Sequence, residues 1–329
     1  MAFFAVDPGA RGVNEFELIQ RYFARPAKRA LLGVGDDCAL LRPDAGLDLA
    51  VTTDMLIEGR HFLRDVEPRA LGHKALAVNL SDLAAMGATP RWATLAIALP
   101  AAEPAWLAEF SAGFYALAER YGVELIGGDT TRGEARAICV TAIGEVPPGM
   151  ALERSGARPG DDVWVSGELG GAALGLAHPE IAQAAQRLHR PEPRVDLGER
   201  LRGLAHSAID VSDGLAGDLG HIAERSGVQA TIEYALVPRP GVFKSLKAPE
   251  LEKDCVLSGG DDYELLFTAP REHRAELESL AAELKLALTR IGSIGIGAIE
   301  AGAARVTVLA ADGKPIAHRG GFDHFGKRK

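Results

Sequence analysis

The sequence predicts a two-domain chain of mixed α and β structure, and three observations predict it. Its 329 residues suffice for two domains of ordinary size. Short apolar runs of strand type are interspersed with longer stretches of helical periodicity. Pro147-Pro148-Gly149 interrupts that pattern near the middle and reads as a linker. These place a loose leader over 1–13, an N-terminal domain over 14–148 and a C-terminal domain over 149–329. Hydrophobic residues at 47% and charged residues at 25% are ordinary for a globular protein in water. The net charge of −9 offers no basic stripe for phosphates, which argues against a nucleic-acid partner and suits bound divalent cations. Cys38, Cys139 and Cys255 form no Cys-x-x-Cys pair, so neither a zinc site nor a disulfide framework is expected. No apolar run reaches ~18 residues and no signal-peptide pattern opens the chain, so the expectation is a cytoplasmic protein with no membrane partner.

Taken in order, Asn14-Glu15-Phe16-Glu17 resembles a capping box, and Phe16, Ile19, Tyr22 and Phe23 follow at helical spacing. Gly33-Val34-Gly35-Asp36-Asp37-Cys38 comes next, with Ala39-Leu40-Leu41 read as a short strand. Two carboxylates about 4 Å apart repel by roughly 4 kcal/mol at an effective dielectric of ~20. The pair is therefore either a solvated turn or a site for a cation. Residues 47–53 read as a strand delivering Thr52, Thr53 and Asp54 at its C-terminal end, where open sheets place ligands. His61 follows in a loop and, taken alone, reads as an ordinary surface histidine. Residues 68–86 form a helix closed by Gly87, with Leu76, Leu80 and Leu83 in an apolar stripe and Asp82 on a neighbouring face.

Residues 92–99 read as a strand, 103–121 as a helix and 123–126 as a strand running into a Gly127-Gly128-Asp129-Thr130-Thr131-Arg132-Gly133 loop. Backbone N–H groups and a carboxylate in such a loop suit a phosphate–metal pair. Further strands are expected over 136–146, 162–167 and 207–212, and a helix start over 170–178. The last of these strands ends in Asp210-Val211-Ser212-Asp213-Gly214, facing the electropositive N-terminus of a helix over 215–226. Leu257 to Thr268, containing Gly259-Gly260-Asp261-Asp262, reads as a turn and a strand. It is followed by a helix over 272–286 and strands over 289–294 and 305–309. The aromatic tail Phe322-Asp323-His324-Phe325 reads as docked on the body.

No Gly-x-x-x-x-Gly-Lys-Ser/Thr loop, Gly-x-Gly-x-x-Gly fingerprint, Gly-x-Ser-x-Gly elbow or His-Glu-x-x-His helix is present. What recurs is hard oxygen donors beside glycines, the ligand chemistry of Mg²⁺ and substrate phosphates. The reaction class this points to is metal-assisted phosphoryl transfer.

The strings 33–40, 74–88, 127–133, 210–215, 257–265 and 321–325 together resemble the thiamine-monophosphate kinase family, over about residues 15–325. The resemblance implies a two-domain aminoimidazole-ribonucleotide synthetase-like fold. Its N-terminal α+β domain would pair its sheet with that of a second subunit in a homodimer, and its C-terminal domain would be α/β, with the ATP site in a cleft lined by both. It implies ATP-dependent phosphorylation of thiamine monophosphate to thiamine diphosphate with several Mg²⁺ ions. Carried onto this chain, Asp37, Thr52, Thr53, Asp54, Asp82, Asp129, Asp210 and Asp213 would bind Mg²⁺. Gly128, Asp129, Arg154 and Ser212 would contact ATP. His61, Asp261 and Phe322 would contact thiamine monophosphate, and no residue is implied as a general base. Where this chain has Asp261 the family often has Glu, which keeps the charge and shortens the reach by a methylene. Two rivals are a superfamily relative making an acyl or seleno phosphate, and a non-enzymatic nucleotide-binding protein. Residues 1–12 lack the reactive cysteine of selenophosphate synthetases, and the acidic residues that a binding protein could lose are all present.

Overall fold

The computed structural model describes residues 15–295 and 305–321. The leader over 1–13, Asn14 of the expected capping box, and Phe322 with the aromatic tail lie outside the described residues. The N-terminal part runs α1 (Glu15–Tyr22), β1 (Asp48–Ile57), α2 (Pro68–Ala85), β2 (Thr89–Leu99), α3 (Pro104–Tyr121), β3 (Glu124–Arg132) and β4 (Ala137–Val146). Its four strands form one sheet in the order β1-β4-β2-β3. Cα packing divides the chain into two compact units. One comprises Met1–Arg42, Thr53–Ala75 and Trp92–Thr141; the other comprises Pro43–Thr52, Leu76–Arg91 and Ala142–Lys329.

In the first unit, α2 and α3 approach each other where neither carries a side chain. A Cβ on Gly72 would lie 2.0 Å from the Phe110 carbonyl oxygen, and one on Gly113 would lie 1.9 Å from that of Arg69. Phe110 and Phe114 fill the interior beside this crossing and are fully buried. In the second unit, α2 ends in a Schellman closure. Gly87 has φ +66°, its N–H donates to Ala84 O, and Ala88 N–H donates to Leu83 O. The Gly87 stop read from sequence is thus present.

The remainder of the chain runs β5 (Asp162–Ser166), α4 (Gly171–Ala177), α5 (Ala182–His189), α6 (Val195–Leu201), β6 (Ser207–Asp210), α7 (Leu215–Ser226), β7 (Ala230–Glu233), α8 (Val242–Leu246), α9 (Pro249–Ser258), β8 (Leu265–Ala269), α10 (Arg274–Leu284), β9 (Leu288–Ile294) and β10 (Val306–Leu309). Its sheet has the order β10-β7-β9-β5-β8-β6. Only β10 and β7 pair in parallel; the other described pairings are antiparallel. Val163, Val165, Ile209, Leu266 and Ile291 from these strands pack with Leu215, Leu219 and Ile222 of α7 in one core. The α7 spacing of i, i+4 and i+7 turns one helical face onto that core.

Three element assignments are corrected. Residues 39–41 form no strand; Leu40 makes only an isolated bridge to Leu32, because glycines and adjacent charges leave too short an apolar run to build a ladder. β1 does not stop at Thr53 but continues through Met55-Leu56-Ile57, so Thr52, Thr53 and Asp54 sit mid-strand. β3 does not give way to a loop at Gly127 but runs through Gly-Gly-Asp-Thr-Thr to Arg132, paired in parallel with β2.

Candidate active site

The acidic residues of the first unit start from β3. Between Ala93↔Leu125 and Thr94↔Gly127 the β2–β3 register shifts by one residue, so Ile126 is an added residue on the β3 side. Such a bulge resets which face each side chain takes, and Leu125 and Ile126 are in fact both buried. Asp129 then lies opposite Ala96 and is exposed. The strand comes so close to β2 that a Cβ on Gly128 would stand 1.8 Å from Leu95 O, and Gly128 has φ +152°. Only glycine fits there. Asp37 is exposed on its turn, with its N–H donating to Asp36 Oδ1 at 2.9 Å. Asp37, Gly128 and Asp129 line a single cavity of about 600 Å³ together with Phe23, Ile97 and Leu125.

A carboxylate that no sequence pattern singled out ties this cavity's two polar walls together. Glu124, the first residue of β3, accepts hydrogen bonds from the N–H groups of Lys28 (2.9 Å), Arg29 (2.6 Å) and Ala30 (3.0 Å). The segment leading into Gly33–Asp37 is thereby fastened to the strand that carries Asp129. Asp54 and Thr53 alternate across β1. Thr53 Oγ1 is 2.8 Å from Thr141 Oγ1, and the Asp54 charge, after burial, raises the pKa of Cys139. His61 Nδ1 accepts the Ile57 N–H at 3.0 Å, so in the neutral ring the proton resides on Nε2.

In the second unit the donors are more deeply set. Thr52 Oγ1 donates to Asp82 Oδ2 at 2.5 Å. Burial raises the Asp82 pKa, opposed by that hydrogen bond and by the charge of Arg154. Arg154 opens a 3₁₀ turn and is exposed. Asp210 ends β6, is 3% exposed, and accepts from Ser81 Oγ at 2.7 Å. The following N–H groups of Ser212, Asp213 and Gly214 all donate to Asp218 Oδ2 at 3.1 Å. These three donors precede α7, so a carboxylate of α7 itself occupies the turn that leads into the helix. Burial, then the Asp213 charge, push Asp218 up to about 7.

Asp261 holds φ +67°, an uncommon backbone state for a residue with a side chain. Its N–H donates to Ser212 O at 2.9 Å and its Oδ1 accepts the Tyr263 hydroxyl at 3.0 Å. Asp262, the other half of the Asp-Asp pair, caps the start of α4 through the N–H groups of Gly170 (2.6 Å) and Ala172 (3.1 Å). Beneath it, the buried Glu264 forms a two-pronged ion pair with Arg194 at 2.6 and 2.5 Å and accepts from Ser166 Oγ.

The donor set fits a hard divalent cation. It consists of carboxylates and hydroxyls, and in Asp82 it includes a desolvated carboxylate whose charged form gains from a nearby positive charge. Among the described residues, no group of three or more His, Cys, Asp or Glu side chains gathers at metal-holding distance. The signals that could have revealed the overlooked carboxylates are modest. Asp218 is an acid in the first turn of a helix after Asp-Gly, and Glu124 is an acid at the head of an apolar strand.

Comparison with known proteins places these residues in a lineage. The AIR synthase related protein N-terminal domain family matches residues 35–146, and the AIR synthase related protein C-terminal domain family matches residues 158–301. Thiamine-monophosphate kinase of Escherichia coli strain K12 is 45% identical over 95% of this chain and 98% of its own. The crystal structure of thiamine-monophosphate kinase from Stenotrophomonas maltophilia K279a superposes with a TM-score of 0.83 at 47% identity, covering 92% of this chain and 98% of that one. A structure of AaThiL complexed with AMPPCP and TMP matches with a TM-score of 0.75 at 34% identity, covering 86% of this chain and 89% of that one.

Proposed function

The chain belongs to the thiamine-monophosphate kinase family and is therefore a thiamine-phosphate kinase, and from that premise we propose that it converts thiamine monophosphate to thiamine diphosphate by direct in-line transfer of the γ-phosphoryl group of ATP, assisted by several Mg²⁺ ions. The observation that carries this reading is the relative solved with an ATP analogue and thiamine monophosphate, aligned over most of both chains. The acceptor is a phosphate monoester with a second pKa of ~6, already largely deprotonated at pH 7. No general base is required of the protein, and none is assigned. The obstacle is the approach of two anions.

Bound Mg²⁺ would supply charge neutralisation between those anions. Asp37, Thr53, Asp54 and Asp129 of the first unit, and Thr52, Asp82, Asp210 and Asp213 of the second, would hold it. The Thr52 and Ser81 hydroxyls orient the Asp82 and Asp210 carboxylates. Gly128, Asp129, Arg154 and Ser212 would contact ATP, Arg154 through a charge-assisted bond to phosphate. His61, Asp261 and Phe322 would contact thiamine monophosphate. The Ile57 N–H fixes the His61 ring through Nδ1, and the Tyr263 hydroxyl steadies Asp261.

A homodimer belongs to the same reading. Leu49, Val51, Met55 and Ile57 alternate along β1 and are all exposed, an apolar strand face suited to a second copy. The domain boundary near Pro147-Pro148-Gly149 and a cytoplasmic location complete it. No described helix is long and apolar enough to cross a membrane.

The test is a purified mixture of protein, ATP, Mg²⁺ and thiamine monophosphate, with thiamine diphosphate followed by chromatography. Product only in the complete mixture, and none from unphosphorylated thiamine, is the expected result. Tight ATP binding without product would overturn the acceptor and the roles of His61, Asp261 and Phe322. Trapping a phosphorylated enzyme on the path would overturn direct transfer.

A further inference from the structure

We propose that Asp218 is a positioning residue for the nucleotide–metal site: it fills the anion-binding turn at Ser212–Gly214 with a carboxylate of the protein's own, so that this turn meets its ligand through side chains and not through its backbone N–H groups. The inference rests on the kinase reading for the identity of the ligand, and on geometry for everything else.

Three successive N–H groups that converge ahead of a helix ordinarily form a nest for a phosphate. Here all three converge on one atom. Ser212, Asp213 and Gly214 each donate to Asp218 Oδ2 at 3.1 Å. Asp218 is 1% exposed and stands in the first turn of the twelve-residue α7, so its carboxylate is fixed by the helix that the nest precedes. The turn is held from its carbonyl side as well. Ser212 O accepts the Asp261 N–H at 2.9 Å, and a Cβ on Gly260 would lie 2.0 Å from the same oxygen. Gly214 closes the turn at φ +112°.

The electrostatic consequence is a change of sign. An empty nest is positive and attracts an anion. Filled by Asp218, the same turn adds a carboxylate to those of Asp210 and Asp213, and the segment becomes a place for a cation. It also decides which atom of Ser212 can meet a nucleotide. Its N–H is already given to Asp218, which leaves the hydroxyl. Asp218 touches neither substrate nor metal in this account; it acts by setting where Ser212 and Asp213 stand.

Hydrogen–deuterium exchange on the native chain tests this without any substitution. The amides of Ser212, Asp213 and Gly214 should be protected before ligand is added, and their exchange should change little when Mg²⁺ and a non-hydrolysable ATP analogue are supplied. Protection that arises only with the nucleotide would overturn the proposal, because the nest would then be serving a phosphate. D218N gives the second arm. All three donors can still reach one carbonyl oxygen, so only the charge is lost. Calorimetric titration with Mg²⁺ in the presence of the ATP analogue should show Kd raised tenfold or more, with KM for Mg²⁺ raised in step and kcat at saturating Mg²⁺ largely kept. Native Mg²⁺ affinity with nothing but a lower Tm would reduce Asp218 to a structural cap and overturn its positioning role. Should D218N fail to fold, the exchange result decides alone. Absence of Mg²⁺-dependent phosphorylation by the native chain would instead sink the kinase reading, and the exchange pattern separates the two failures.

Discussion

Glu124 and Asp218 each collect three successive backbone N–H groups, one in each unit, and they do so under different conditions. Glu124 is half-buried, divides its three donors between two oxygens, and fastens a segment 94 to 96 residues away in the chain. Asp218 is almost fully buried, gathers all three on one oxygen, and fastens residues four to six positions away. A carboxylate near water needs little help to stay charged. One taken out of water must be compensated by donors that converge on it. The first unit therefore presents open acids, Asp37 and Asp129, along a cavity wall, whereas the second presents acids already locked in hydrogen bonds. Preorganisation resides on one side and accessibility on the other.

The largest effect should come from the open side. Asp54→Asn and Asp129→Asn remove charge where the proposed cations meet phosphate. Loss of one such electrostatic partner typically costs about 10²–10³ in turnover. For Asp129, which is exposed, folding should hardly notice, since surface exchanges of this kind usually stay within ~0.5 kcal/mol. Steady-state kinetics beside a thermal melt checks both halves. Near-normal kcat in both variants would remove the metal reading of these two acids.

The adjacent glycines of β3 sharpen the contrast between backbone and side chain. Gly127 has nothing within 4 Å of a built Cβ, while Gly128 has Leu95 O at 1.8 Å. Gly127→Ala should be nearly neutral. Gly128→Ala forces β3 away from β2 and should cost more than ~2 kcal/mol, the range of backbone strain and overpacking together. Denaturant midpoints measure the difference. Equal midpoints would mean that the strand approach is looser than the geometry here.

That pair of residues also shows what the sequence could reveal. The ends of α2, α3 and α7 were legible almost to the residue, because each stops at a glycine, Gly87, Gly122 and Gly227, and α7 adds a clear apolar periodicity. The Gly-Gly-Asp motif was legible as chemistry but not as conformation. Glycines and an aspartate argue for a loop locally, and only pairing with the neighbouring β2 extends the strand through them. β7 and α9 were not singled out; β7 is four residues long, and α9 carries little amphipathic contrast. The candidate site residues were read as motifs, whereas the neighbouring carboxylates Glu124, Asp218 and Glu264 were not. A carboxylate that organises distant backbone leaves no local pattern, since its three-dimensional neighbours supply the reason for it.

A smaller effect should appear with pH. Asp262 is pushed up to about 7, chiefly by burial and secondarily by Glu264, against the N–H groups of Gly170 and Ala172 and the charge of Arg187; the Cys255 thiol, itself raised, also faces it. A carboxyl whose folded pKa lies above its unfolded value binds its proton more tightly when folded. Its contribution to stability is thus full below about 4 and lost as pH rises through about 7. Metal-free protein should melt a few degrees higher at pH 5.5 than at pH 8, and Asp262→Asn should flatten that slope. An unchanged slope in the variant would assign the pH dependence to other groups.

The smallest effect returns to the two organising carboxylates. Glu124→Gln keeps one carbonyl oxygen and replaces the other by an amide that cannot accept. Lys28 and Arg29 share Oε1, while Ala30 uses Oε2. At least one N–H must therefore be orphaned, at a cost of about 1 kcal/mol for a half-buried group. Asp218→Asn, by contrast, can retain all three donors on a single oxygen and loses only charge. Hydrogen exchange at residues 28–30 in the first variant and 212–214 in the second separates the two mechanisms. Faster exchange at Ala30 with an unmoved Ser212–Gly214 turn would show that acceptor count organises the first unit and that charge at Asp218 acts on the ligand. Opening of the Ser212–Gly214 turn with residues 28–30 unaffected would reverse that assignment, and make the ionised carboxylate, rather than its geometry, what holds the buried turn closed.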